Sequence, residues 1–324
     1  MAKKEAQCCN TKFKTSCGGQ ALMEGIMMQG PDKRAIVVRK PDGTLDLTTS
    51  EVKKRTGWKA WPFIRGVFVF CGSMVNGVKA LLHSAEVSED PSFNEDELTG
   101  LDKWINEHVD DEKANSILIT VAAVLGVLFS VALFILLPTA ITGLIGLAWK
   151  TMPLWFRAVL EGIVKVAIFL TYLGLVSKMK EIRRVFQYHG AEHKTIYCYE
   201  NDLELTVENV RIQGRHHPRC GTSFLFVVII VSIFLSIVIF TPLKIENTFL
   251  RMLLHLVLLP IICGVTYEFN RYVGAHDGPV SRALRAPGMW MQNFTTFEPD
   301  DSMIEVAIAA LKEVLPEEQG ADRW

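Results

Sequence analysis

The 324-residue chain carries 34 Lys plus Arg against 35 Asp plus Glu, a net charge of −1, and 49% of its residues are hydrophobic while only 21% are charged. That leaves too little polar surface to clothe a water-exposed body of this length, and it excludes disordered and disulfide-scaffold classes. Net charge near zero gives no global reason to bind nucleic acid, and no sequence-specific nucleic-acid binding is expected.

From the amino terminus, residues 1–15 are polar and are expected to form a disordered tail. Seven scattered cysteines are an odd number, so free thiols are the default, although Cys8, Cys9 and Cys17 lie close enough together to raise a metal cluster. The run GGQALMEGIMMQGP over 18–31 is dense in Gly and Met. It lacks the Gly-Lys-Ser/Thr element of a phosphate loop, and close packing of a tight turn is its expected role, with Glu24 as a possible further acid. Residues 35–47 predict a β-hairpin turning at Pro41-Asp42-Gly43, so 16–57 is expected to be a β-hairpin region. Segment 58–82 is aromatic and apolar but broken by Pro62, Arg65, Asn76 and glycines. An acidic stretch with eleven Asp and Glu over 86–112 follows, making 58–114 an interfacial region.

Residues 117–137 are 21 without a charge, roughly 31 Å as a helix, which matches a bilayer core of about 30 Å. Further spans are expected at 158–176, 224–240 and 249–269, giving a transmembrane domain over 115–297. Arg157, Glu161 and Lys165 recur at four-residue intervals and share one helix face, and a charged stripe in lipid must turn inward to partners, here Arg251. With four spans, Lys178, Lys180, Arg183, Arg184, Arg211, Arg215, Arg219, Arg271, Arg282 and Arg285 all fall on the side of the basic amino terminus. The positive-inside rule therefore predicts both termini in the cytoplasm and an in-plane or re-entrant helix near residue 70. The fold class expected is a mainly α membrane bundle of four transmembrane helices plus that helix, with the small β-hairpin. A tail over 298–324 carries an amphipathic helix at 301–315, with a Ser302-x-x-Glu305 capping box and an apolar face of Val306, Ala310, Leu311 and Val314.

The chemistry lies in 178–222, expected as a cytoplasmic loop. HGAEH places His189 and His193 one helical turn apart, so two imidazoles can hold one divalent ion, while Glu192 stands beside them to take a proton from water. This is the H-x-x-E-H order of the inverzincin peptidases. RHHPRCG supplies His216, His217 and Cys220, and YEFNR supplies Glu268, all at the same expected membrane surface. Two completions are open: Glu268 as third ligand would favour hydrolysis, and Cys220 with His217 would favour a closed or regulatory site. Gly190 lowers helix propensity by about 1 kcal/mol relative to Ala, which predicts that the His pair sits at a helix end. His276 and Asp277 are candidates to support the ligands from behind.

GGQALMEGIMMQGP, YHGAEHKTI, HPRCGTSF and YEFNR together resemble the YqhQ-like bacterial membrane family, a domain of unknown function described as predicted metal-dependent. The resemblance covers roughly residues 16–296. It implies a multi-pass bacterial membrane protein with a metal site at His189, Glu192, His193, His217, Cys220 and Glu268, and it supplies no substrate. The leading expectation is a zinc-dependent membrane hydrolase with Glu192 as base. The alternative is a non-catalytic factor whose basic loops, among them Arg183, Arg184, Arg211 and Arg215, dock a membrane-protein complex, a ribosome or anionic lipid. A transporter is the weaker third expectation.

Overall fold

The computed structural model describes residues 11–88, 121, 124–318 and 320–323, the Ser223 side chain apart. Cys8, Cys9, most of the acidic stretch and the start of the first expected span lie outside the described residues. The strands are β1 (Gly18–Leu22), β2 (Gly25–Gln29), β3 (Lys33–Arg39) and β4 (Leu45–Glu51). Among the described residues the helices are α1 (Ile64–Ser88), α2 (Val124–Ala148), α3 (Leu154–Val176), α4 (Lys180–Glu200), α5 (Val207–Arg211), α6 (Gly221–Phe240), α7 (Thr248–Ala275), α8 (Pro279–Thr295) and α9 (Asp301–Val314). The chain divides into two compact units, one of Met1–Glu89, Leu170–Val231 and Leu259–Trp324, the other of Asp90–Phe169 and Ser232–Leu258.

In the first unit the four strands form one antiparallel sheet in the order β1-β2-β3-β4. The expected hairpin is β3–β4, with Gly43 at φ +86 and the Asp42 carboxylate accepting from the Thr44 N–H at 2.8 Å. The Gly- and Met-rich run before it adds a second hairpin, closed at Leu22 and Gly25 with Glu24 at φ +48, so the sheet is twice the size expected. Strand alternation sorts the side chains: Ile26, Met28, Ala35 and Val37 join a core with α4 and α9, while Leu22 and Met27 meet Ala80 of α1, with Ile36 against them. The sheet therefore lies between α4 and α9 on one face and the second half of α1 on the other.

The expected face of α9, Val306, Ala310, Leu311 and Val314, is buried in that core. Its cap is Asp300, which accepts from the Met303 N–H at 3.0 Å, and Ser302 instead donates to the Asp300 carboxylate at 2.6 Å. Aspartate two residues earlier caps as well as serine, so the helix starts earlier than a Ser302 cap would place it, with a simple N-cap, and Met303 at the third position leaves no capping box. Of the expected amino-terminal tail, Thr15 is buried and donates to Asp322 at 2.5 Å.

α1 is one unbroken helix of 25 residues. Its glycines serve close approach instead of breaking it: a Cβ on Gly66 would stand 2.6 Å from the Tyr267 side chain, and one on Gly77 2.5 Å from that of Gln20. By length and composition α1, α2, α3 and α7 can each cross a membrane. Three of these contain or overlap expected spans. The fourth expected span, Phe224–Phe240, is a shorter apolar helix within α6.

In the second unit, α2 runs through Pro138 to Ala148 because a π-helical turn, Ala132–Leu136, opens the helix just where the proline ring would crowd the carbonyl four residues back. The charged stripe turns inward as expected. Glu161 accepts from Arg251 at 3.0 Å, Lys165 at 3.1 Å, His255 at 2.9 Å and Thr139 at 2.7 Å, and all five side chains are buried.

Candidate metal centre

His189 and His193 lie in the middle of α4, not at its end. Gly190 between them is required by contact: a Cβ there would stand 2.0 Å from the Phe297 carbonyl oxygen, so the chain after α8 packs directly on the helix backbone. One turn along the same face, the imidazoles stand with ring centroids 4.4 Å apart. Cys220 comes to them from the start of α6, its sulfur 3.2 Å from His189 Nε2. One ligand atom from each of His189, His193 and Cys220 lies within 4.8 Å of the others.

The backbone fixes how the rings face. His189 Nδ1 is 2.8 Å from the Thr295 carbonyl and His193 Nδ1 is 2.6 Å from the Arg215 carbonyl. A carbonyl only accepts, so each Nδ1 carries a hydrogen, which leaves Nε2 as the nitrogen through which either ring can bind an ion. His193 Nε2 and Glu192 Oε2 are buried without a hydrogen-bond partner. Glu192 Oε1 accepts from the Gly19 N–H of β1 at 2.9 Å. Burial pushes the Glu192 carboxyl above the usual carboxylate range, against the opposing pull of His189 and of that N–H. These groups line a cavity of about 360 Å³ together with Cys17, Gln20, Val69, Ser73 and Tyr267.

His217 borders the group but turns elsewhere. Its Nε2 is 3.4 Å from Glu200, and its backbone is clamped by Gln292, which accepts from the His217 N–H at 2.7 Å and donates to its carbonyl at 2.8 Å. Burial drives its pKa down to about 4, with Arg219 and His193 acting the same way and Glu200 opposing, so the ring is neutral at pH 7. Burial alone would raise Glu200, but His217, Arg219 and the Thr15 N–H hold it below the usual range. Glu268 stands apart from the grouped ligand atoms: Arg65 of α1 holds both its oxygens, at 2.7 and 2.5 Å. Glu24 pairs with Arg184 and accepts from Tyr188 at 3.2 Å, and Asp277 pairs with Lys14 and Arg285. His276 bonds the Tyr272 carbonyl.

Sequence reasoning missed Glu200, Arg219, Gln292 and the Gly19 N–H. Glu200 had a signal, since it follows His193 by seven residues and so shares its helix face. Arg219 stands between His217 and Cys220 in the same RHHPRCG run, whereas Gln292 and the Gly19 N–H are brought in by long-range folding alone.

A family model described as "Protein of unknown function (DUF1385)" matches residues 61–317, and the chain belongs to that family. It is also similar to the protein described as "Uncharacterized protein YqhQ" of Bacillus subtilis (strain 168), with 34% identity over 319 residues, covering 94% of this chain and 93% of that one. No solved structure matches the chain.

Proposed function

We propose that the chain is a multi-pass membrane protein that holds a divalent ion, zinc, through His189, His193 and Cys220, and uses it for hydrolysis. The observation that carries this is the pair of imidazoles whose Nδ1 atoms are each tied to a carbonyl, with His189 Nε2 3.2 Å from the Cys220 sulfur, one ligand atom of each of the three residues within 4.8 Å of the others, and His193 Nε2 buried and unpartnered. Around a tetrahedral zinc, with Zn–N of about 2.0–2.1 Å and Zn–S of about 2.3 Å, ligand atoms stand roughly 3.3–3.6 Å apart; here His189 Nε2 and the Cys220 sulfur are 3.2 Å apart and the three ligand atoms lie within 4.8 Å of one another. Three protein ligands leave a position open, the arrangement of catalytic zinc sites.

When bound, the ion would supply Lewis-acid activation of water and of the scissile group. Glu192 then acts as the base: the Gly19 N–H fixes one carboxylate oxygen, and the other, without a partner, lines the cavity to take the proton and return it to the leaving group. The burial that raises its pKa brings it nearer neutral pH, where a group can both accept and donate. His217 and Glu268 support the site from outside the ligand set, one behind His193 and one joining α1 to α7.

The membrane reading puts α2, α3, α6 and α7 across the bilayer with both termini in the cytoplasm. α1 remains on the cytoplasmic side because its second half is seated on the β-sheet. The alternative, docking of a partner complex through basic loops, has less support. Arg184 is engaged by Glu24, Arg211 by Asp301 at 2.5 Å, and Arg215 by the Thr296 carbonyl at 3.0 Å.

Elemental analysis of the purified, detergent-solubilised protein tests the reading. One equivalent of zinc is expected in the wild type and its loss in His189→Ala, His193→Ala and Cys220→Ala. A wild type with no metal after expression in zinc-replete medium would overturn it.

A further inference from the structure

The substrate class of this centre follows from what walls its cavity. One side is β1 and α4, but the other is made by Val69 and Ser73 of α1 and Tyr267 of α7, both apolar helices. The opposite face of α1 is exposed and apolar: Met74, Val75, Val78 and Leu81 recur at helical spacing with 42–55% of their surface open, beside exposed Cys71. One helix thickness therefore separates the cavity from a surface made for lipid.

The segment leading into α1 adds charge to that surface. Every residue from Lys53 to Phe63 is exposed, including the aromatics Trp58, Trp61 and Phe63 and the cations Lys53, Arg55 and Lys59. Lys59 lies over the Trp58 and Phe68 rings at 5.9 and 5.5 Å. Exposed aromatic rings interleaved with cations are the composition of a segment seated among anionic headgroups. By contrast, Arg184 and Arg211 of the same unit have acidic partners within the fold.

We propose that the cavity beside His189, His193 and Cys220 takes the head group of an anionic phospholipid drawn from the bilayer leaflet against which α1 lies. The cavity volume is near the lower end of the roughly 300–1,000 Å³ typical of small-ligand sites, which suits a head group. The acyl chains stay on the apolar face of α1. This rests on the membrane and metal readings above.

The test uses the full chain reconstituted in nanodiscs of phosphatidylcholine, alone or with phosphatidylglycerol, with a benzophenone amino acid at Val69 on the cavity side or at Met74 on the outer side. Met74 should label both lipids. Val69 should label phosphatidylglycerol at least fivefold more than phosphatidylcholine, and the combined Lys53→Glu, Arg55→Glu and Lys59→Glu variant should lower that yield severalfold with its zinc content unchanged. Because the benzophenone itself could fill the cavity, native mass spectrometry of the wild type provides a second measurement: it should retain phosphatidylglycerol that Ser73→Trp loses. No lipid on Val69 and none retained by the wild type, while Met74 is labelled, would overturn the proposal. So would peptide adducts at Val69 in native membranes, or displacement of the adduct by glycerol phosphate added in solution. A lipid adduct that persists in a protein without zinc would uphold this inference and remove the metal reading alone.

Discussion

Gly190 and Phe297 are in backbone contact, and that contact sets the position of the proposed ligand His189. Two residues before Phe297, the Thr295 carbonyl holds His189 Nδ1 at 2.8 Å, so whatever displaces this strand of chain also releases the imidazole. Gly190→Ala, favourable by helix propensity alone, should therefore destabilise the protein by a few kcal/mol, on the scale of overpacked cores at about 1–3 kcal/mol. Thermal unfolding in detergent should show the lower Tm, and zinc analysis a substoichiometric site.

The third ligand is a choice the sequence leaves open between the Glu268 carboxylate and the Cys220 thiol with His217. Cys220→Ala should abolish zinc binding. Glu268→Gln should leave zinc at one equivalent while weakening the junction of α1 with α7, since it frees Arg65. Glu192→Gln should also retain zinc but lose turnover by two or more orders of magnitude once a substrate is in hand.

His217 predicts an acid limit. Its folded pKa of about 4 lies below the usual 6.5, so the folded state resists protonation more than the unfolded chain does. The stability this represents is complete above pH 6.5 and is lost as pH falls toward 4. Tm measured across that window should fall with pH, and the slope should flatten in His217→Gln.

The thiols divide by environment. Burial raises Cys17 and Cys198 to about 11, so both should resist maleimide at pH 7.5, while exposed Cys71 should react with a membrane-permeant reagent. Cys220 should become reactive only after chelation. Peptide mass mapping with and without a chelator checks all four.

Glu161 neutralises Arg251 and Lys165 deep among apolar helices. Glu161→Ala should cost about 3–5 kcal/mol, because it strands two buried cations, whereas removing Thr139, which gives one bond to the same carboxylate, should cost far less. The ratio of folded to aggregated protein after detergent extraction would report the difference.

Where local pattern dominates, the chain was readable. The stripe of Arg157, Glu161 and Lys165, the α9 face and the His189–His193 pair all follow from helical spacing, and each lies as its spacing requires. The first hairpin was hidden because Gly18 to Met28 lacks β-branched residues, apart from Ile26, and its alternation becomes evident only against Ala80 on one face and α9 on the other. The intramolecular partners of Arg184, Arg211 and Arg215 could not be read from the sequence, because Glu24, Asp301 and the Thr296 carbonyl lie 81 to 160 residues away. Gly190 was misjudged for the same reason: its value is the space it leaves for Phe297, which no helix scale contains.

The seating of α9 beside α4 on one face of the sheet carries a consequence for biosynthesis. Every other element of that core, from β1 to α4, is made before it, and the apolar helices between them have already left the translating ribosome. Until the stretch Asp301–Val314 emerges, Ile26, Val37 and Ala191 lack their covering layer, so the carboxylate tethered to β1 and the imidazoles on α4 have no stable frame. Assembly of the proposed metal centre is in this sense a closing step, and a chain arrested before α9 should reach the bilayer yet stay unable to retain the proposed ion.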